Sequence, residues 1–241
     1  MLVTRPEPDA SETAARLAAL DIEAAICPLL TFQTLPTSLP DPTGFAALAL
    51  TSANALKALD QRGVLAAYFG LPVFAVGDRT AVRARDMGFS QVRSASGSFA
   101  DLVDLLAHQK LSGPVFYPSG RDQAGDLAKS LSASGVMVIT THIYAMNPIA
   151  ELPAQIVGEL EDGSIDAALF YSRRTAEIFT RLSENHVSRL SRLELGMLCL
   201  SESIAEPLID AHFVRVALAD TPSEEAMMSL ALSFSRDHTA S

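Results

Sequence analysis

The chain has 241 residues, 49% of them apolar and 19% charged, enough to bury a substantial core without disulfides. A net charge of −10 argues against a general nucleic-acid surface, although helix ends and a few arginines can still hold an anionic small molecule. No apolar run reaches the roughly 18 residues of a membrane span, and Met1-Leu-Val-Thr-Arg-Pro6 lacks the basic-then-apolar order of a signal peptide, so the expected compartment is the cytoplasm and no membrane partner is expected.

In chain order, Met1–Arg5 reads as an apolar strand stopped by Pro6 and Pro8. A helix follows, with Asp9 or Ser11 as N-cap and Leu17 and Leu20 facing the core. Ile22–Ile26 is a second strand, Cys27–Leu35 continues extended, and a proline-punctuated loop runs from Pro36 to Gly44. Strand and helix then alternate. The strands are Phe45–Leu50, Val73–Val76, Gln91–Arg93, Val115–Tyr117 and Val136–Tyr144. Between them lie helices from the Thr51–Asn54 cap to Gln61, from Gly77 to Met87, along Phe99–Leu106, and around Leu127 and Leu131. Pro118–Asp122 reads as a turn, and Asn147-Pro148 as a strand stop.

Beyond Pro148 come a helix (Glu151–Leu160), a strand (Ala167–Tyr171), a helix (Arg173–Leu182) and a polar helix near Val187–Leu193. A strand (Met197–Leu200), a helix (Glu202–Ala211), a strand (Phe213–Val216) and a helix after Pro222 complete the chain, with a frayed tail from Arg236. Helices and strands alternating at these lengths predict α/β architecture with parallel sheets and helices on both faces.

The chain also resembles itself. Leu48–Leu56 resembles Ala168–Ala176, Phe74–Ala81 resembles Leu198–Ala205, and Ser98–Leu106 pairs with Pro222–Leu230. Phe116–Ser119 with Leu127 and Leu131 resembles Leu2–Arg5 with Thr13 and Leu17, so the last block of the middle repeat has its counterpart at the start of the chain. This permuted order predicts two similar parallel-sheet α/β domains, the second inserted in the first. Residues 1–33 plus 146–241 form the first and residues 36–142 the second. Extended connectors near 27–35 and 140–148 cross as a two-stranded antiparallel β hinge, with a cleft beside Tyr144, one of four tyrosines.

In open α/β sheets, ligands bind at the carboxyl ends of strands, where helix N-termini present free N–H groups. The turns at these ends are Thr4-Arg5, Thr51–Asn54, Gly77–Thr80, Ser96–Ser98, Pro118–Arg121, Tyr171–Arg174, Ser201–Ser203 and Asp220–Ser223. Singly each reads as ordinary capping; together they suit carboxylates or phosphates. Arg5, Arg121, Arg173 and Arg174 are either anion clamps or solvated turn arginines. Tyr144 is either a buried aromatic with a backbone partner or a functional phenol. There is no nucleotide-binding glycine fingerprint, and the five histidines and two cysteines lack metal spacing. Residues alone reach a two-lobed anion-binding protein.

Val3-Thr-Arg-Pro6, Leu50-Thr-Ser-Ala-Asn-Ala55, Ala75-Val-Gly-Asp-Arg-Thr-Ala81 and the Tyr144 connector, in that order, resemble the uroporphyrinogen III synthase family over nearly the whole chain. The resemblance implies two parallel α/β domains joined by a two-stranded ladder, working without cofactor or metal. It implies cyclisation of hydroxymethylbilane to uroporphyrinogen III, with loss of water and inversion of ring D, in the cytoplasm as a monomer. Transient contact with the preceding pathway enzyme is a further implied partnership. Tyr144 matches the family's proposed proton donor. Thr4, Arg5, Ser52, Asn54, Gly77, Thr80, Ser119, Gly120 and Arg121 match its motif turns, with Tyr171, Ser172, Ser201 and Ser203 as further contacts from the discontinuous first domain. Where the family often has a Gly-x-x-Thr-like turn, this chain has Ser201-Glu-Ser-Ile204. The rival reading is a non-catalytic anion- or tetrapyrrole-binding module on the same architecture.

Overall fold

Three runs, Ala47–Leu50, Ala167–Phe170 and Gly196–Cys199, are buried at every residue, as strands are when helices cover both faces of a parallel sheet. The computed structural model describes residues 1–95, 97–123 and 125–239. Ser96, one of the expected strand-end turn residues, and the last two residues of the expected tail lie outside the described residues.

The first half of the chain contains β1 (Leu2–Val3), α1 (Asp9–Ala18), β2 (Ala25–Ile26), β3 (Leu30–Thr34), β4 (Ala47–Leu50), α2 (Ala53–Gln61), β5 (Val73–Ala75), α3 (Asp78–Asp86), β6 (Val92–Ser94), α4 (Phe99–Ala107), β7 (Val115–Gly120) and α5 (Leu127–Leu131). The second half contains β8 (Val138–Pro148), α6 (Ala154–Glu161), β9 (Ala167–Phe170), α7 (Arg173–Ser183), α8 (Ser191–Glu194), β10 (Gly196–Cys199), α9 (Glu202–Asp210), β11 (Arg215–Leu218) and α10 (Glu224–Thr239). One sheet has the order β11-β10-β9-β1-β2, all parallel. The other has the order β3-β8-β7-β4-β5-β6, parallel from β8 to β6. The fold is α/β with parallel-dominated sheets.

By its contacts the chain divides into two compact units: Met1–Thr31 with the residues from Asn147 onward, and Phe32–Met146. In the second unit the two-residue alternation of β4 sends its side chains to two cores. Leu48 and Leu50 pack with Leu56, Tyr68 and Phe116, while Ala47 and Ala49 pack with Phe74, Leu102, Val115 and Tyr117. The other unit centres on Val3, Leu17, Leu169, Leu198 and Met227.

Several elements differ from their sequence expectations. β7 runs through Pro118 to Gly120 instead of turning there. Past Phe116 its registered partner is β8 alone, so a residue without N–H fits on the side away from the ladder. β8 likewise continues to Pro148, past Tyr144. The polar helix expected near Val187–Leu193 shrinks to Ser191–Glu194. β11 starts at Arg215 because Phe213 is drawn into the core against Phe179, ring centroids 6.0 Å apart. α1 has Pro8 at its N-cap, leaving Asp9 in the first turn. The tail expected to fray from Arg236 stays helical to Thr239.

Candidate functional site

β7 and β8 run in register from Val115↔Val138 to Ser119↔His142, then slip so that Gly120 faces Tyr144. Such a slip re-aims side chains locally. Tyr144 is 7% exposed. Its ring stacks on Phe32 with centroids 5.7 Å apart, and its carbonyl accepts from the Arg121 N–H at 2.9 Å. Gly120 lies so close that a Cβ there would sit 2.9 Å from Cε2 and Cζ of the ring. Burial pushes the Tyr144 phenol above its ordinary pKa, while hydrogen bonds from the Ser52 hydroxyl and the Gly120 N–H act in the opposite direction without cancelling it. The phenol is therefore protonated at neutral pH and able to donate.

The neighbouring strand ends of the same unit are polar. Ser52 caps α2 by accepting from the Asn54 N–H at 3.1 Å, and the Asn54 amide reaches the Met146 sulfur at 3.6 Å. Thr51 Oγ1 and the Tyr117 hydroxyl are 3.0 Å apart. Gly77 is the N-cap of α3, where an added Cβ would make ordinary contact with Gly97 Cα at 3.6 Å, so packing alone does not demand a glycine. Thr80 is buried in the first turn of α3. Buried Ser119 places Oγ 3.0 Å from His142 Nδ1 and accepts from Gln123 Nε2 at 2.7 Å. The Arg121 side chain is exposed. The fold thus brings Tyr144, Ser52, Ser119 and Gly120 together, and sets Gly77 and Thr80 at the next strand end.

In the other unit, Thr4 is fully buried and donates to the Leu169 carbonyl at 2.6 Å, tying β1 to β9. Arg5 is held internally. It donates to Asp9 at 2.9 Å, Glu224 at 2.5 Å and Thr13 at 3.1 Å, and lies 4.1 Å over the Tyr171 ring. Burial alone would lower its pKa, but Asp9 and Glu224 together raise it. The Tyr171 hydroxyl donates to Glu224 at 3.2 Å; burial first, then the Glu224 charge, raises its pKa strongly. Ser172 caps α7 by accepting from the Thr175 N–H at 3.2 Å. Ser201 precedes α9, its Oγ 3.1 Å from that of Ser203. Arg173 pairs with Glu177 and Glu206 and donates to the Ser203 carbonyl at 3.1 Å.

Sequence reasoning left four of these residues out. Glu224, which binds Arg5, Thr13 and Tyr171, is 219 residues from Arg5, and its only sequence mark is an acid in a first helical turn. Gln123 and Phe32 carry no local mark. His142 does: it lies two residues before Tyr144 in an extended run.

Among the described residues no group of His, Cys, Asp or Glu could hold a metal ion, and no helix is long and apolar enough to cross a membrane. Fold and site define an α/β protein with parallel-dominated sheets, whose strand-end turns carry hydroxyls, backbone donors and a buried phenol. Residues 11–229 match the family described as uroporphyrinogen-III synthase HemD, and the chain belongs to that family. It is an enzyme of this kind, a cyclising lyase of tetrapyrrole biosynthesis, and the non-catalytic binding module is not favoured. The fold is similar to the uroporphyrinogen-III synthetase of Helicobacter pylori, with a TM-score of 0.66 and 21% identity over 96% of this chain and 98% of that one. It is also similar to a mutant uroporphyrinogen III synthase of Thermus thermophilus, with a TM-score of 0.57 and 13% identity over 98% of each chain.

Proposed function

We propose that the enzyme cyclises hydroxymethylbilane with Tyr144 as proton donor to the departing ring A hydroxyl. The proton moves from the phenol to that oxygen, the C–O bond breaks, and water leaves an azafulvene electrophile. Ring D attacks through its substituted carbon to give a spiro intermediate, which fragments and recloses with ring D inverted, and the proton lost at the end returns to the phenolate. The observation that carries this reading is the double environment of Tyr144. Burial keeps the proton on at rest, while the Ser52 hydroxyl and the Gly120 N–H face the oxygen that becomes charged once the proton has gone.

Because the free substrate also closes by itself, to the uninverted isomer, the rest of the site has positioning work to do. In this reading Ser52, Asn54, Gly77, Thr80, Ser119, Gly120 and Arg121, with Tyr171, Ser172, Ser201 and Ser203, receive the substrate's carboxylates. Thr4 and Arg5 hold the strand end that presents the second group, since their donors are already engaged. No metal or cofactor is needed.

The same reading makes the two units versions of one another, residues 36–142 inserted between 1–33 and 146–241. The strand orders β8-β7-β4-β5-β6 and β2-β1-β9-β10-β11 support it, because they correspond position by position once permuted. The bonds Leu35 N to Ile143 O and Ile149 N to Leu29 O support an antiparallel pairing of the connectors. A monomer in the cytoplasm, taking its substrate by transient contact with the preceding enzyme, completes the proposal. Two buried, unpaired cysteines suit a reducing compartment.

The test supplies freshly made hydroxymethylbilane and resolves the products by isomer. Formation of the uninverted isomer alone, at the spontaneous rate, overturns the reading. Tyr144→Phe is expected to lower turnover about 10²-fold or more, the range of general acid catalysis, with the fold unchanged. A wild-type rate removes Tyr144 as the donor.

A further inference from the structure

We infer that His142 is a positioning residue, which through Nδ1 holds the slipped Ser119–Gly120 segment and so fixes the donor that faces the Tyr144 hydroxyl. The inference rests on the reading of Tyr144 as proton donor.

A slip in a strand pair leaves a residue outside the ladder and frees the local backbone to tilt. Here the slip falls between Ser119 and Gly120, where tilt matters most. Gly120 leaves no room for a Cβ beside the Tyr144 ring, its N–H faces the Tyr144 hydroxyl, and the next N–H, that of Arg121, bonds the Tyr144 carbonyl at 2.9 Å. The other end of the Gly120 residue, its carbonyl, meets His142 Nδ1 at 3.1 Å. A carbonyl only accepts, so this contact requires the tautomer with hydrogen on Nδ1. The same Nδ1 lies 3.0 Å from Ser119 Oγ, which also accepts from Gln123 Nε2 at 2.7 Å. Gln123 Nε2 and His142 Nδ1, 3.5 Å apart, thus share one acceptor. Three side chains close a polar ring around the slip, and His142 is the one that reaches the Gly120 carbonyl. His142 itself is exposed, so the core does not need it for packing.

The experiment measures turnover, KM, product isomer ratio and thermal unfolding for His142→Ala, His142→Asn and His142→Gln. Each is made in the wild-type and in the Tyr144→Phe background. The asparagine amide nitrogen sits near the place of Nδ1, whereas that of glutamine reaches the place of Nε2. His142→Ala and His142→Gln are expected to lower kcat about three- to tenfold, the size of one lost hydrogen bond, with KM little changed. His142→Asn should recover most of the loss, and none of the three should matter further once Tyr144 is phenylalanine. A wild-type rate for His142→Ala overturns the inference. So do rescue by glutamine in place of asparagine, a loss that tracks a fall in Tm, and a loss undiminished in the Tyr144→Phe background. Full turnover in Tyr144→Phe alone instead fails the proton-donor reading, and the positioning role falls with it.

Discussion

Gly120 and Tyr144 face each other across the β7–β8 slip with no room for a side chain between them: a Cβ on Gly120 would fall 2.9 Å from two ring carbons and 3.1 Å from the hydroxyl oxygen. The ring is also held by stacking on Phe32, centroids 5.7 Å apart, which limits how it can shift. Gly120→Ala is therefore expected to cost about 1–3 kcal/mol by overpacking and to move the phenol relative to the Ser52 hydroxyl. Denaturant unfolding and isomer-resolved turnover would both register the change. An alanine variant of normal stability and normal turnover would show that the contact is slack.

Arg5 poses the opposite question, since its charge is spent inside the protein. Its side chain is 12% exposed and is shared between Asp9 and Glu224, which are 28% and 20% exposed. Arg5→Ala leaves two carboxylates facing each other with Tyr171 and no cation. A loss of about 3 kcal/mol is expected, the order seen when one partner of a mostly buried pair is removed. Equilibrium unfolding measures it. Glu224→Gln keeps the shape and one set of hydrogen bonds, and should cost less. If Arg5→Ala loses activity while its stability is unchanged, Arg5 contacts ligand and the framing role assigned to it is wrong.

The contrast between Tyr144 and Arg5 shows what can be read along a chain and what cannot. The strands buried on both faces were legible because Ala47–Leu50 and Ala167–Phe170 are continuous apolar runs closed by capping serines, Ser52 and Ser172. Tyr144 stood out by its place in a long extended segment. Its environment did not, because a one-residue slip decides which backbone faces the ring. Glu224 and Arg5 meet only through the tertiary fold, so no local pattern links them. Pro207 lies between these cases. It stands inside α9 and has no N–H for the Ser203 carbonyl, and Arg173, 30 residues away, donates to that carbonyl instead. A proline within a helix leaves a carbonyl without its usual donor, but nothing local names the partner that replaces it. Phe213 misled for a similar reason: its β-propensity suggested a strand start, and burial against Phe179 took it elsewhere.

Alkaline pH should destabilise the protein. Burial pushes the Cys27 thiol up to about 11 and Cys199 up to about 12, from an ordinary 9.0. The phenols of Tyr68, Tyr117, Tyr144 and Tyr171 are raised as well, burial being the first cause in each. All six groups are neutral when protonated, and the folded chain holds those protons longer than the unfolded one. Their contribution is therefore fully present below the unfolded values, and is lost as pH rises through the folded ones. The decline should begin near about pH 8, where unfolded thiols start to ionise, and steepen above about pH 9 as unfolded phenols follow. The N-terminal amine, its pKa lowered by burial, acts in the opposite sense, adding stability as pH rises through about 8. Cys27→Ala and Cys199→Ala should each flatten the decline. A free energy constant to about pH 11 would contradict the burial of these groups.

The last prediction separates a distributed site from one that depends on a single group. Ser52 both caps α2 and faces the Tyr144 hydroxyl, so Ser52→Ala should cost about 1 kcal/mol of stability through the cap and also slow the reaction. Thr80 is buried, and Thr80→Val keeps its volume while removing a hydroxyl. Ser203 is exposed and paired with Ser201, so Ser203→Ala should leave stability unchanged. If the substrate is held by many strand-end donors, each change removes about one hydrogen bond and lowers turnover about two- to tenfold. Combined changes should lower the share of the inverted isomer progressively, because the spontaneous closure competes as soon as the substrate is poorly held. One of these three changes abolishing turnover in a folded protein would mean that binding is concentrated at that residue and not shared across the strand ends.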